Sequence, residues 1–263
     1  MKLCRFALPD SDLVRLGSVE DDFVLPFSPS ETFGNLTKPL ANHRVPIHGI
    51  RFLPPVEPSK IVCVGRNYLE HAAEFGNKLP DQPLLFLKAP SAVIGNGDTI
   101  ELPPESQQVD HEGELGVVIG RKARNIGAND DPLSYVLGYT CVNDVTARDL
   151  QRKDVQFTRA KSFDTFCPVG PFIVTDLNPL DLEVTTRLNG ETKQRARTSA
   201  MAFPVPFLVR YIAGIMTLYP GDLIATGTPA GVSKMKHGDV VEVEVEGIGV
   251  LCNHVNDSRK KSD

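Results

Sequence analysis

The chain holds no tryptophan, and none of its five cysteines stands in a C-x-x-C pair. Cys4, Cys63, Cys141, Cys167 and Cys252 are scattered and odd in number. That pattern argues against a disulfide framework or a sulfur-ligated zinc site and predicts reduced thiols in a cytoplasmic compartment. No apolar run approaches the roughly 20 residues that a membrane helix needs. The start, MKLCRFALPD, is interrupted by Arg5 and Pro9 before it can build a signal-peptide core. Basic residues are not in surplus: 28 Lys and Arg against 33 Asp and Glu leave a formal net charge of -5. With no basic stripe to neutralise phosphates, neither a nucleic-acid nor a membrane surface role is expected. A P-loop and a dinucleotide fingerprint are also missing, and the GNG at Gly95 to Gly97 leads into neither. What is there is an ordinary globular composition, 41% hydrophobic and 23% charged over 263 residues, enough for one large core and a small extra module, and small-molecule substrates are the default expectation for the protein.

Three short extended pieces, KLCRFAL, LVRLGSV and DFVLPF, are separated by Asp, Ser and Pro turn signals and predict a small β meander within residues 1–55. The proline-dense RFLPPVEPSK reads as a stiff linker. From Ile61 onward, segments rich in Val, Ile and Leu alternate with Gly and Pro turns, so a second unit over 56–252 is expected to be mixed α/β and mostly β. Residues 253–263 read as a polar, frayed tail. One helix stands out in VPFLVRYIAGIMTLYPGD, where Phe207, Leu208, Tyr211, Ile212, Ile215 and Met216 share a face. Pro206 suits its first turn, and Pro220-Gly221 follows its end.

The stretch DHEGELGVVIG, residues 110–120, sets two glutamates one residue apart at the mouth of an apolar run. On a strand, alternate side chains share a face, so Glu112 and Glu114 can reach one cation. The chain supplies its own comparison in DVVEVEVEGIGV. There Glu242, Glu244 and Glu246 alternate with Val241, Val243 and Val245, the pattern of a plain surface strand. In the first stretch Gly113 offers no side chain, and Leu115, Val117, Val118 and Ile119 suit burial on both faces. Carboxylates beside such a run need a partner, because unpaired buried charge is costly.

A third carboxylate, Asp144, stands in LGYTCVNDVTARDLQRKD, between an apolar strand ending at Val142 and a helix starting near Thr146. By itself it reads first as the cap of that helix, a common place for aspartate, and second as a ligand. Three such oxygens would favour Mg2+ or Mn2+ over zinc. In VGRNYLEHAAEFGNK, Asn67 can cap a short helix that ends at Gly76 and carries His71 and Glu74 on one face. A histidine held by a carboxylate is a competent general base, and an exposed helix with an incidental pair is the plainer alternative. Lys161 lies amid Phe157, Phe163 and Phe166, where a lysine can also simply run along an apolar surface. GDLIATGTPAGV is a strand running into a turn that could offer hydroxyls and N–H groups to an anion, or be an ordinary tight turn.

Together and in order, GRNYLEHAAE, HEGELGVVIG, NDVTARDLQ, RAKSFDTFCPVGPF and TGTPAGV resemble the fumarylacetoacetate hydrolase (FAH) family, in its short bacterial and mitochondrial acylpyruvase-like members, from about Lys60 to Leu251. The meander is similar to the small N-terminal domain of the bacterial members. The resemblance implies a β-roll catalytic domain, a homodimer, and a divalent cation held by Glu112, Glu114 and Asp144. It implies His71 and Glu74 as a water-activating pair, Lys161 as an active-site lysine, and Arg66, Gln151 and Thr228 as substrate-side residues. A 2-oxo acid can chelate Mg2+ through its C1 carboxylate and C2 oxygen. The reaction expected first is hydrolysis of a C–C bond in a 3-acylpyruvate-like 2,4-dioxo acid. Oxaloacetate decarboxylation and 2-oxo acid tautomerisation or isomerisation follow, and a non-catalytic, metal-stabilised binding module is the remote alternative.

Overall fold

The computed structural model describes residues 1–9, 11, 13–74 and 76–257. Twelve strands form a large sheet, five form a second sheet, and Val109–Asp110 pairs with Thr146–Ala147 as a short ladder of its own. At the centre of the large sheet lies Gly113–Ile119, every residue of which is buried. It is antiparallel to Val136–Asn143 on one side and to Leu223–Ala225 on the other. Cover on both faces is the environment that a nearly continuous apolar run requires.

Register decides where the chemistry collects. Leu223–Ala225 runs parallel to Ile61–Gly65, with Ala225 level with Cys63 and, across the other ladder, with Gly116. Gly113 is level with Asn143. Hence Arg66, the Thr226–Thr228 turn, Glu112, Glu114 and Asp144 all emerge at one end of the sheet, although they come from four separate parts of the chain.

The second sheet contains Glu183–Leu188, Glu191–Arg197, Val240–Val245, Gly249–Asp257 and Thr99–Leu102. As the alternation predicts, Val241, Val243 and Val245 are buried, Glu242 and Glu244 are half-buried, and Glu246 is exposed. Val184, Val243, Val245 and Leu251 pack with Leu115, Val117, Tyr139 and Cys141 of the large sheet in one core. Burial of each such aliphatic side chain is worth about 1.5–3 kcal/mol. The sheets approach closely at Gly113, where a Cβ atom would stand 1.9 Å from Thr186 Oγ1.

At the N-terminus the expected meander forms from Lys2–Ala7, Arg15–Glu20 and Phe23–Pro26. Its first strand also pairs with Cys167–Val174, so the meander extends the large sheet. The proline-rich stretch, expected as a stiff linker, is bound to the elements beside it. Arg51–Leu53 pairs with Lys2–Ala7, Val56 is fully buried, and Arg5 bonds Pro54 O at 3.0 Å and Glu57 at 2.6 Å. The apolar residues between the prolines have a core to enter, which outweighs the stiffness of the stretch. Nor does the chain fray at Asn253: Gly249–Asp257 is one strand, parallel to Thr99–Leu102, and Asn253 donates to Gly95 O and Asp98 O at 2.8 Å each. Residues 258–263 of the expected tail lie outside the described residues.

The anticipated helix spans Val205–Ile215 with proline in its first turn, but its buried face is rotated from the expected one. Val205, Leu208, Val209, Ile212 and Ala213 face the core, while Phe207 and Ile215 are exposed. The helix is apolar over more than one face, so periodicity alone does not choose; the small Ala213 lets the core side approach closely. Phe203, Phe207 and Tyr211 stack along the outside, with ring centroids 5.6 and 5.9 Å apart. Among the described residues no helix is long and apolar enough to cross a membrane. All five cysteines are free.

Candidate active site

At the collecting end of the sheet opens a cavity of about 320 Å³. Of the nine site residues expected from the sequence, Arg66, His71, Glu112, Glu114, Asp144, Gln151, Lys161 and Thr228 line it. Glu74 stands behind His71, its Oε2 3.2 Å from His71 Nδ1.

Carboxylate oxygens of Glu112, Glu114 and Asp144 lie within 4.8 Å of one another, all buried. The shared face of Glu112 and Glu114 follows from the strand period. Asp144 arrives from the end of the neighbouring strand, its N–H bonded to Glu112 O at 2.8 Å. It caps no helix: the helix expected from Thr146 begins at Arg148, and no side chain caps it. Asp144 instead accepts from Lys88 Nζ at 2.7 Å and Lys161 Nζ at 2.6 Å.

Lys161, far from running along a surface, is fully enclosed, bonded also to Glu112 Oε2 at 2.8 Å and set 5.0 Å over the Phe86 ring. Arg148 pairs with Glu112 and with Asp110 Oδ2, the latter at 2.9 Å, and donates to Gln151 Oε1 at 2.7 Å. Four buried carboxylates (Asp110, Glu112, Glu114, Asp144) thus face three cations (Lys88, Arg148, Lys161), for a formal balance of -4 + 3 = -1. The shortfall falls on Glu114, which accepts from the Gly227 N–H at 2.7 Å and has no cationic side chain in ion-pair range among the described residues.

The two glutamates are therefore electrostatic opposites. Burial pushes the Glu112 carboxyl up, but Lys161 and Arg148 outweigh it and hold the group well below the usual carboxylate range. Burial also pushes Glu114 up, and there Asp144 and Glu112 add to the effect, so its carboxyl stands well above that range. Burial alone would lower Lys161; Asp144 and Glu112 overcome it and keep the ammonium charged. Three convergent hard oxygens, one of them on a carboxylate with no cationic side chain in ion-pair range among the described residues, fit an oxygen-seeking divalent cation such as Mg2+ or Mn2+.

His71 and Glu74 share the short helix Leu69–Glu74, closed by Gly76 and Asn77 N–H bonds to Ala73 O and Ala72 O, each 2.9 Å. Asn67 does not cap it. Fully buried, Asn67 donates to Phe203 O and Thr226 O and accepts from the Phe203 N–H, which pins the segment before the helix to the sheet end. Glu74 also accepts from the Gly231 N–H at 3.2 Å. Arg66 sits in a left-handed conformation, φ 57°, uncommon for a residue with a side chain. Thr228 Oγ1 donates to Gly113 O at 2.9 Å and accepts from Gln194 Nε2 at 2.7 Å.

Sequence reasoning missed Lys88, Asp110, Arg148 and Gln194. A lysine closing the apolar strand Leu84–Lys88 is a usable signal for Lys88, since a charge at such a place needs a buried partner. For Gln194, in ETKQRAR, polar except for Ala196, the local pattern carries none.

The protein family described as Fumarylacetoacetate (FAA) hydrolase C-terminal matches residues 60–256. A mitochondrial oxaloacetate tautomerase of Rattus norvegicus, Fahd2a, is 43% identical over 223 residues, 80% of this chain and 71% of that protein. Among solved structures, 2-hydroxyhepta-2,4-diene-1,7-dioate isomerase from Mycobacterium marinum superposes with a TM-score of 0.87 at 43% identity, covering 98% of this chain and 99% of that one. Maleylpyruvate hydrolase from Sphingobium sp. SYK-6, in complex with manganese(II) and pyruvate, superposes with a TM-score of 0.78 at 28% identity, covering 98% and 99%.

Proposed function

The chain belongs to the fumarylacetoacetate hydrolase family, and on that premise we propose that it is an enzyme that moves a proton at C3 of a short 2-oxo dicarboxylic acid, as a tautomerase or isomerase. The carrying observation is the His71–Glu74 pair, whose imidazole lines the same cavity as three convergent carboxylates. Glu112, Glu114 and Asp144 would hold Mg2+ or Mn2+. A cation bound there would supply a Lewis acid for a 2-oxo acid and would stabilise the charge that develops when a bond at C3 changes.

The protein's own groups supply the rest. Glu74, itself held by the Gly231 N–H, fixes the His71 ring so that the imidazole can take a proton and return it. Arg66 and Arg152 bring positive charge to the cavity, which suits a second carboxylate on the substrate. Leu84, Phe86 and Phe157 give the carbon chain an apolar wall that limits water.

Hydrolysis of a 3-acylpyruvate, expected first from the sequence, is the second reading. It uses the same pair to activate water, and two hydrolase relatives support it, fumarylacetoacetate hydrolase from Exiguobacterium antarcticum at 38% identity and the maleylpyruvate hydrolase at 28%, against 43% for the isomerase and tautomerase relatives. Proton NMR in D2O with Mg2+ separates the two. Enol–keto interconversion or C3 exchange of oxaloacetate without pyruvate release supports proton transfer, and His71→Gln should slow it by roughly 10² to 10⁴, the usual contribution of a general base. Pyruvate plus an acid formed from acylpyruvates at higher kcat/KM would make hydrolysis the function. Pyruvate and carbon dioxide from oxaloacetate, unaffected by His71→Gln, would make it a decarboxylase, and no turnover of any 2-oxo acid would refute all three.

A further inference from the structure

We infer that Gln194 is a positioning residue: it sets the 227–231 loop against the strand of Glu112 and Glu114, so that one turn of main chain serves the cation ligands, the substrate and the proton-transfer pair together. The inference rests on the function proposed above. Gln194 is 0% exposed, although it belongs to Glu191–Arg197, a strand whose other residues are mostly open to solvent. Strand alternation turns it inward: Thr186 faces Gln194 on the side of the Val184–Ala196 pair that packs on the core. Beyond it Arg187 faces Thr192, so Lys193, next to Gln194, is the extra residue of a bulge.

A buried primary amide must place two donors and two lone pairs, and here all four have partners. Oε1 accepts from the Gly113 N–H at 3.0 Å and lies 3.1 Å from His111 Nδ1. Nε2 donates to Thr228 Oγ1 and to Pro229 O, both at 2.7 Å. One end of the amide therefore grips the residue between the two glutamates, and the other grips the loop. His111 extends the grip, its Nε2 lying 2.8 Å from Ser233 Oγ.

The loop is seated on the bulge itself. Gly231 has φ +100°, and a Cβ there would stand 1.9 Å from Lys193 O. From this seat the loop sends out three contacts: the Gly227 N–H to Glu114 at 2.7 Å, the Thr228 hydroxyl to Gly113 O at 2.9 Å, and the Gly231 N–H to Glu74 at 3.2 Å. Gln194 does not line the cavity, so it acts through these groups and not on a ligand.

The test compares the intact protein with Gln194→Met, which keeps the volume and removes every hydrogen bond, and with Gln194→Glu, which keeps an acceptor for the Gly113 N–H and loses the donor to the loop. Three quantities are read: Tm, Mn2+ affinity by calorimetry, and the affinity of the Mn2+-loaded protein for oxalate, whose paired oxygens imitate a planar enolate. The expected result is that Gln194→Glu keeps Mn2+ binding but loses about tenfold to a hundredfold in oxalate affinity, the range for partners one layer behind a metal site. Gln194→Met should lose affinity for both. Should Gln194→Met fail to fold, Gln194→Glu decides alone. Variants with a lowered Tm that bind Mn2+ and oxalate as the parent does would overturn the inference and leave Gln194 a structural residue. Failure of the parent itself to bind oxalate with Mn2+ would remove the proposed function, and this inference with it.

Discussion

Two strands of this protein carry glutamates at alternate positions and put them in opposite surroundings. In Val240–Val245 the intervening valines enter the core, and the glutamates look outward to arginines that share their exposure: Glu244 pairs with Arg187, their side chains 41% and 29% exposed. Around Gly113 the alternation looks alike on paper, yet Glu112 and Glu114 are 4% and 2% exposed. What differs is the residue between. A valine there announces one apolar face and leaves the other for water, whereas a glycine followed by an unbroken apolar run announces cover on both sides. Alternating acids thus have no fixed meaning; the intervening residue assigns it.

The largest effect that can break this comparison is expected at Glu114. Glu114→Ala should remove Mn2+ binding and reduce turnover to background while the fold persists, because a hard ligand leaves a set of three. Calorimetry and a steady-state assay check it. Next comes Gly113→Ala, whose new methyl would meet Thr186 Oγ1; overpacking of this kind costs about 1–3 kcal/mol. Denaturant midpoints measure the loss, and Thr186→Ala combined with it should restore part, since the two sites share one contact.

A smaller effect separates the two glutamates from each other in metal-free protein. Glu114, raised when folded, contributes stability that is complete below the unfolded carboxylate value of about 4.3 and is lost as pH rises through its elevated folded value. Glu112, depressed when folded, contributes stability that is present above the unfolded value and lost as pH falls through its folded one. Glu114→Gln should therefore raise Tm on the alkaline side, where the amide oxygen still accepts from Gly227, and Glu112→Gln should lower it near neutrality. Thermal scans from pH 4 to pH 9 without metal decide; equal shifts of one sign would mean that the opposition between them is not felt in folding. Smallest of all is Glu244→Ala, expected within about 0.5 kcal/mol of the parent, as for most surface substitutions, and with unchanged kcat/KM.

The site was legible in the sequence wherever it depends on local period. Glu112 and Glu114 fall on one face because a strand repeats every two residues, and His71 and Glu74 because a helix brings i and i+3 together. Legibility ends where a partner arrives from elsewhere. Lys88 meets Asp144 from 56 positions away, and Arg148 meets Glu112 from 36, distances that no local window spans. Gln194 is hidden twice, by its polar neighbours and by partners, Gly113 and Thr228, that stand 81 and 34 positions away. The helix at Val205–Ile215 shows the converse limit: its existence was plain, but with apolar residues on two faces the choice between them belonged to the core.

The narrow gap at Gly113 also bears on how the protein assembles. Sliding the strand by a single residue would bring a glutamate to the place where even a methyl group has no room beside Thr186. A misaligned chain then cannot bring its two sheets together, so closure of the sheets acts as a proofreading step for the placement of the carboxylates. Any molecule that has completed its core has, by that act, already set Glu112 and Glu114 side by side, and no separate step of site maturation is needed to select that arrangement.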